Sequence, residues 1–376
     1  MAKLGEICKL NMGQSPDSSS YNDTGDGVPF FQGNADFGEV HPNIRVWCNA
    51  PTKIAHPGEI LISVRAPIGA MNIADCECCI GRGLASISAD EAVCTTKYLW
   101  YGISSKIEEL NAKGTGSTFK AVNKKTLEET EIPIRDLMEQ ERIAAKLDSV
   151  TALITLRKRQ VKKLDELVKA RFVEMFGEPS SNPMGWLQTT VGAECYYIKD
   201  GPHKSLTDVG MKNGYPFISV RNIVNGYIDF STAKYISEAD YKDAIKKCCP
   251  EKGDILYSKG GTTGIAKLVD IDIKFANWVH LAVLKFNHNE FNGSFFEKML
   301  NCDYCYKQSQ MLTKGIANRD LVLSAMAQIK IYKPPILLQN QFANFVERVD
   351  QQKQTVQQSL EKLELMKKAL MQEYFR

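Results

Sequence analysis

The sequence predicts an α+β chain built twice over: two homologous β-rich modules, each followed by a long helix, with the two helices paired as a coiled coil. Three observations predict it. The phrase "PGEILISVRAPIGAMNIAD" at 57–75 returns as "KGDILYSKGGTTGIAKLVD" at 252–270. Toward the end of each copy, apolar residues recur with the 3.5-residue period of a coiled-coil seam. Glycine and proline are absent from 137–176 and from 336–376, so nothing there interrupts a helix.

The repeat extends well beyond that phrase, in constant order and direction. "KLGEICKL" (3–10) is echoed by "TVGAECYY" (190–197), setting Gly5 over Gly192 and Cys8 over Cys195. "VPFFQGN" (28–34) returns as "YPFISVRN" (215–222), and "GLASIS" (83–88) answers "HLAVLK" (280–285). "AKGTGSTFKAVN" (112–123) answers "LTKGIANRDLVL" (312–323). The separation between matches only grows, as small loop insertions in the second copy would make it. One ancestral module has been duplicated.

Within each module, "EILISV", "DILYS", "GLASIS" and "WVHLAVLKF" are short β-rich runs bounded by Gly, Pro, Asn and Asp. Short helices fit "TTKYLWYGISSKIEEL" (95–110) and "GSFFEKMLNCDYCYKQSQ" (293–310). In the first long helix the seam is Leu147, Val150, Ile154, Arg157, Val161, Leu164, Val168, Arg171 and Met175. In the second it is Phe342, Phe345, Val349, Gln352, Val356, Ser359, Leu363, Met366 and Leu370. Arg157 and Ser359 interrupt the two seams at equivalent places, as register-setting polar layers do. An exposed seam would aggregate, so the helices pair with each other; the period alone leaves the direction open. The domains expected are a module over 1–136, a helix over 137–177, a module over 178–335 and a helix over 336–376.

At 376 residues, with 44% apolar and 24% charged, the chain has the composition of a two-domain globular protein. No apolar segment reads as a signal peptide or a membrane span, which predicts a cytoplasmic protein without membrane contact. The formal net charge of +3 is too small to coat DNA, so tight binding to nucleic acid would need focused charge or a partner. Of the eleven cysteines, "CECC" (76–79) and the lone CxxC of Cys302 and Cys305 lack a second pair or spaced histidines. Reduced, buried thiols are expected and no metal site. No P-loop, no Asn/Asp-Pro-Pro-aromatic tetrapeptide and no paired nuclease carboxylates occur. His280 sits in an apolar run and reads as a core histidine. These absences predict a chain with no active site. An enzyme, fused or stand-alone, with an unrecognised active site and a protein-only coiled-coil scaffold are the alternatives.

"GEICKLNMGQSPDSSSYN", "GVPFFQGNADFGE", "PGEILISVRAPIGAMNIAD", "GRGLASI" and "GTGSTFKAVNKKTLEETEIPI" resemble the specificity subunit of type I restriction–modification systems. The resemblance covers essentially the whole chain. In the second copy "SVRAPIG" becomes "YSKGGTTG" and "GRG" becomes "WVH", the divergence expected where each module reads a different sequence. The resemblance implies antiparallel helices related by a pseudo-two-fold axis, and a non-catalytic subunit with two target recognition domains. It further implies a bipartite, asymmetric site on double-stranded DNA. The partners it implies are two methyltransferase subunits and the restriction/translocase subunits. S-adenosylmethionine, ATP and Mg²⁺ belong on those partners, with no cofactor in this subunit.

A base-reading role needs polar side chains on module loops. In the first copy the candidates are Gln14, Ser15, Ser18, Gln32, Asn34, Arg65, Arg82, Ser117 and Lys120. In the second they are Lys204, Ser205, Arg221, Asn222, Lys259, Thr262, Asn277, Lys314 and Arg319. Arg65 and Lys259 stand at near-equivalent places after the duplicated strand.

Overall fold

A computed structural model describes residues 1–115, 120–316 and 318–376. The chain forms two compact units, residues 1–159 with 357–376, and residues 160–356. In the first unit, strands β1 (Cys8–Met12), β2 (Ile60–Ser63), β3 (Met71–Ile73) and β4 (Leu84–Ala89) make an antiparallel sheet in the order β1-β4-β2-β3. All four residues of β2 are buried because both faces of the sheet are covered. Alternation sends Ile60 and Ile62 into one core with Ile87 and Tyr98, and Leu61 into another with Phe31, Ile80 and Leu84. A second sheet of short strands carries Val28–Phe31 beside Cys78–Ile80 in parallel and beside Trp47–Cys48 antiparallel. The "CECC" cysteines 78 and 79 are thus strand residues, and burial pushes the Cys78 thiol up to about 12.

The second unit repeats the plan. Strands β5 (Cys195–Asp200), β6 (Ile255–Ser258), β7 (Ala266–Leu268) and β8 (Leu281–Phe286) pair antiparallel in the order β5-β8-β6-β7. Tyr215–Ile218 lies parallel to Ala276–Asn277 and antiparallel to Lys234–Ile236. The second copy's insertion includes a helix at Glu238–Lys247, started by Ser237, whose hydroxyl accepts from the Asp240 N–H.

The two long helices are α1 (Leu137–Phe176) and α2 (Ile336–Phe375). Each starts where a two-stranded ladder closes its module: Ala2–Lys3 with Glu131–Ile132, and Leu187–Thr190 with Lys330–Lys333. A buried glutamine then fixes each start. Gln140 accepts from Thr95 N at 2.9 Å and donates to the Val93 and Arg135 carbonyls, both at 2.8 Å. Gln339 accepts from Asn292 N at 2.9 Å and donates to the Glu290 carbonyl at 3.0 Å and the Pro334 carbonyl at 2.8 Å. Both N–H donors and the oxygen of each amide are engaged, so burial leaves no polar atom of the glutamine unpaired.

Within the first unit α1 and α2 pair antiparallel: Lys146 meets Tyr374 at 3.0 Å and, three turns on, Lys158 meets Glu364 at 2.9 Å. The second unit shows the same sense, with Asp165 and Lys353 at 2.6 Å and the Phe172 and Phe342 rings at 5.6 Å. The narrow seam needs correction. Phe172, Phe176, Val346 and Tyr374 are buried, whereas Gln352 is exposed and Met366 is 46% exposed. Each helix packs on its own module near its start and on the other copy's module near its end, as well as on the other helix. Such a helix needs an apolar stripe broader than two positions per heptad. Arg157 and Ser359 are half-buried.

Candidate nucleic-acid interface

In the first module one edge of the main sheet gathers most of the polar candidates. β1 ends at Gly13, whose N–H donates to the Leu84 carbonyl at 2.9 Å, and Gln14 N donates to the Ile80 carbonyl at 3.0 Å. A Cβ on Gly13 would stand 2.2 Å from the Gly81 carbonyl oxygen, so only glycine lets these backbones meet. The Ser15 hydroxyl donates to Gln32 Oε1 at 3.0 Å and accepts from Arg82 N at 3.2 Å. Val64 N donates to the Gly83 carbonyl at 2.9 Å, Arg65 bridges Ala121, and Ala66 N donates to the Lys120 carbonyl at 3.1 Å. Gln14, Ser15, Gln32, Arg65, Arg82 and Lys120 therefore lie on one hydrogen-bonded edge, exposed or half-exposed.

Asn34 opens a short turn held by Asp36, which accepts from Gln32 N at 2.8 Å. Ser18 is exposed on a turn capped by Asp17. The Ser19 hydroxyl and N–H hold that Asp17 carboxyl below its usual range. Ser117 lies outside the described residues.

The second module rebuilds this edge with other side chains. Gly201 N donates to the Leu281 carbonyl at 3.4 Å, as Gly13 does to Leu84. The Ser258 hydroxyl accepts from Ile265 N at 2.8 Å, as the Ser63 hydroxyl accepts from Ala70 N at 2.9 Å. This register sets Lys259 over Val64, and Gly260, which bridges Asp320, over Arg65. Lys259 is therefore not the counterpart of Arg65 and does not face outward. It is 6% exposed, with Nζ 2.9 Å from Asp320 and 3.5 Å from Asp200, whose other carboxylate oxygen lies 2.7 Å from Lys247. Asn222 and Asn277 also depart from the expectation of groove-facing amides. Asn222 is buried, accepting from Ser219 N at 2.8 Å and donating to the Asp229 carbonyl at 2.9 Å. Asn277 is buried, donating to the Leu281 carbonyl at 2.7 Å. Both amides are spent on backbone groups inside the module.

Thr262, Lys314 and Arg319 are exposed around this edge. Lys314 and Asp320 exchange backbone bonds at 2.9 Å, and Gly261 N donates to the Arg319 carbonyl at 3.0 Å. Arg319 also bonds Gln310. Lys204, Ser205 and Arg221 are exposed too, but Lys204 pairs with Asp243 at 3.2 Å and Arg221 donates to the Thr232 carbonyl at 2.8 Å. Among the described residues, no group of three or more His, Cys, Asp or Glu is placed to hold a metal ion, and no helix is long and apolar enough to cross a membrane.

The family model described as "Type I restriction modification DNA specificity domain" matches residues 1–166 and again 198–365. The chain belongs to that family. The double match falls on the two copies of the module, so each copy is a specificity domain in its own right. The chain is 42% identical over 161 residues to the putative type I restriction enzyme MjaX specificity subunit of Methanocaldococcus jannaschii, covering 43% of this chain and 38% of that one. It is 29% identical over 252 residues to the MjaIX specificity subunit of the same organism, covering 62% of this chain and 57% of that one. The chain thus spans between about two fifths and three fifths of the length of these two relatives. The crystal structure of the type I restriction–modification S subunit from M. genitalium shares the fold, with a TM-score of 0.62 at 18% identity over 100% of this chain and 95% of that one.

Sequence reasoning missed Gln140 and Gln339, although a glutamine at the same place in both copies was the available signal. It also passed over Trp278, which stands at the place of Gly81.

Proposed function

We propose that this chain is the sequence-specific DNA-recognition subunit of a type I restriction–modification complex, without catalytic activity of its own. Each module reads one half of a bipartite, asymmetric site in double-stranded DNA. The helices dock two methyltransferase subunits, to which restriction/translocase subunits add. S-adenosylmethionine, ATP and Mg²⁺ would be held by those partners.

One observation carries the reading: the same hydrogen-bonded sheet edge is built twice, and its outward side chains differ between copies. Two scaffolds of one design with different polar surfaces suit two different base sequences. A 40-residue helix is about 60 Å long at 1.5 Å per residue. That exceeds the ~34–36 Å of one DNA turn, which suits a spacer between half-sites.

The test is to co-express the chain with its methyltransferase partners and map methylated adenines across the host genome. The expected result is a single bipartite motif with a fixed gap. Replacing residues 1–136 by the corresponding module of a relative should change one half of that motif and leave the other. Methylation at a continuous site, or DNA cleavage by the isolated chain, would overturn the proposal.

A further inference from the structure

In the second module the segment Asn277–His280 leaves three polar groups without a hydrogen-bond partner among the described residues: Asn277 Oδ1, Trp278 Nε1 and His280 Nδ1. Native proteins leave only a few such groups per hundred residues, and each calls for an explanation. All three atoms are buried; Asn277 is wholly so, and only Trp278 and His280 belong to half-exposed side chains that something outside the chain can complete after a side-chain rotation.

The backbone shows where this segment sits. Trp278 N donates to the Ile218 carbonyl at 2.8 Å, as Gly81 N donates to the Phe31 carbonyl at 2.8 Å. Leu281 N donates to the Trp278 carbonyl at 2.9 Å, as Leu84 N does to the Gly81 carbonyl at 2.9 Å. Residues 278–280 therefore replace residues 81–83, and Trp and His stand where the first module has two glycines. The exchange is reciprocal. Arg65, next after the residue that pairs with Gly83, becomes Gly260, next after the residue that pairs with His280. A Cβ on Gly260 would stand 1.9 Å from His280 Nδ1, so the imidazole fills the space from which Arg65 projects in the first copy. His280 Nδ1 is itself buried against the Gly260 backbone, so it reaches a base edge only when the ring turns about its side-chain bonds. The indole and imidazole rings meet edge to face, their centroids 4.8 Å apart, and both residues are half-exposed.

We infer that Trp278 and His280 are specificity-determining residues of the second module, taking over at this edge the reading done in the first module by Arg65 and its neighbours. The indole N–H offers a donor only, and an imidazole offers one donor and one acceptor. That set fits the acceptor-rich purine edge in the major groove, where N7, and O6 of guanine, accept. The inference rests on the proposed DNA-reading function and deepens it.

The experiment uses the complex of this chain with its methyltransferase partners and a duplex library randomised in the second half-site. Trp278→Phe removes the indole donor with little loss of ring packing, and His280→Ala removes both imidazole nitrogens. Each should reduce discrimination at one or two base pairs of the second half-site by about tenfold or more. Preference at the first half-site and affinity for unrelated DNA should not change. His280→Gln keeps a donor and an acceptor, so a shifted preference there with an unchanged melting temperature supports the inference even where His280→Ala fails to fold. Unchanged discrimination in the folded variants, or a uniform loss across all sequences, would overturn it. If the wild-type complex itself shows no preference at either half-site, the proposed function fails instead, which is a separate result.

Discussion

Lys259 Nζ lies 2.9 Å from an Asp320 carboxylate oxygen, at the position where the first module has Val64 and Ala121. With Asp200 in the place of Met12, an apolar trio in one copy has become an ionic trio in the other, buried at Lys259 and Asp200 and half-exposed at Asp320. Removing one member of such a set leaves a desolvated charge, whereas replacing the whole set by apolar groups is often neutral or better. Lys259→Val alone should destabilise the second unit by about 1–3 kcal/mol, because Asp200 keeps Lys247 and Asp320 is half-exposed. The triple variant Lys259→Val, Asp200→Met, Asp320→Ala should recover most of that loss. Urea denaturation of the three proteins checks it, and a triple variant as unstable as the single one would contradict it.

Gln140 holds the start of α1 against the first module through one N–H and two carbonyls. Gln140→Leu keeps the volume and abandons all three backbone groups, each costing about 1–3 kcal/mol when buried unpaired. A loss of about 3 kcal/mol or more is expected for the first unit. Amide exchange at Thr95 should accelerate in step with it. Unaltered exchange at Thr95 would show that the glutamine is dispensable.

Much of the fold could be read from the chain because the duplication writes each strand twice. The runs at 60–63 and 255–258 share both their apolar pattern and the serine that closes the following turn. The helices were legible from the absence of Gly and Pro, but the width of their apolar stripes was not. Phe172 and Val346 are buried against modules whose docking no helical period encodes. At the site, Gln14, Ser15, Gln32 and Arg82 are near enough to glycine-bounded strand ends for their grouping to be anticipated. Lys259 was misread because its partners Asp200 and Asp320 lie about sixty residues away on either side. A lysine after a strand looks solvent-facing until those carboxylates are folded beneath it. Asn222 and Asn277 fail for a related reason: an amide that bonds backbone and an amide that reads bases are the same residue type.

Acid should weaken the second unit through Glu297. Its carboxylate is buried, 2.7 Å from Lys298 Nζ, 3.3 Å from Lys267 Nζ and 2.8 Å from Leu268 N. Burial alone would raise its pKa, but the two ammonium groups and the N–H outweigh burial and hold it below the ordinary glutamate value. A carboxyl with a depressed folded pKa contributes stability above the unfolded value of about 4.3, and that stability is lost as pH falls through the folded value. Asp350 shifts the other way, raised by its own burial and also by the Glu297 carboxylate, so Glu297→Gln relieves part of that shift and the comparison with wild type reads the two carboxyls together. At pH 7 the variant should be less stable by about 3 kcal/mol. The gap should close as pH drops well below 4, as thermal denaturation over a pH series would show. A gap constant with pH would mean that the charge of Glu297 is immaterial.

Arg65 is exposed at the edge where Val64, Gly83 and Ala121 meet, with its backbone fixed by the Ala121 bridge. A guanidinium so placed can make a bidentate contact with guanine O6 and N7, or it can pair with a phosphate. The two roles separate experimentally, because only the first depends on base identity. Under the proposed function, Arg65→Ala should cost about 1–3 kcal/mol at the first half-site and relax the preference at one base pair there. Binding through the second half-site should be untouched. A phosphate contact would instead weaken all sequences alike and lower the salt dependence of binding by about one ion. Because Gly260 stands at the equivalent place, Gly260→Ala is not a matching control: its Cβ would collide with His280 Nδ1. The variant to pair with Arg65→Ala is Arg319→Ala in the second module, measured on duplexes altered in one half-site at a time. If both variants weaken the same half-site, the assignment of one module to each half falls.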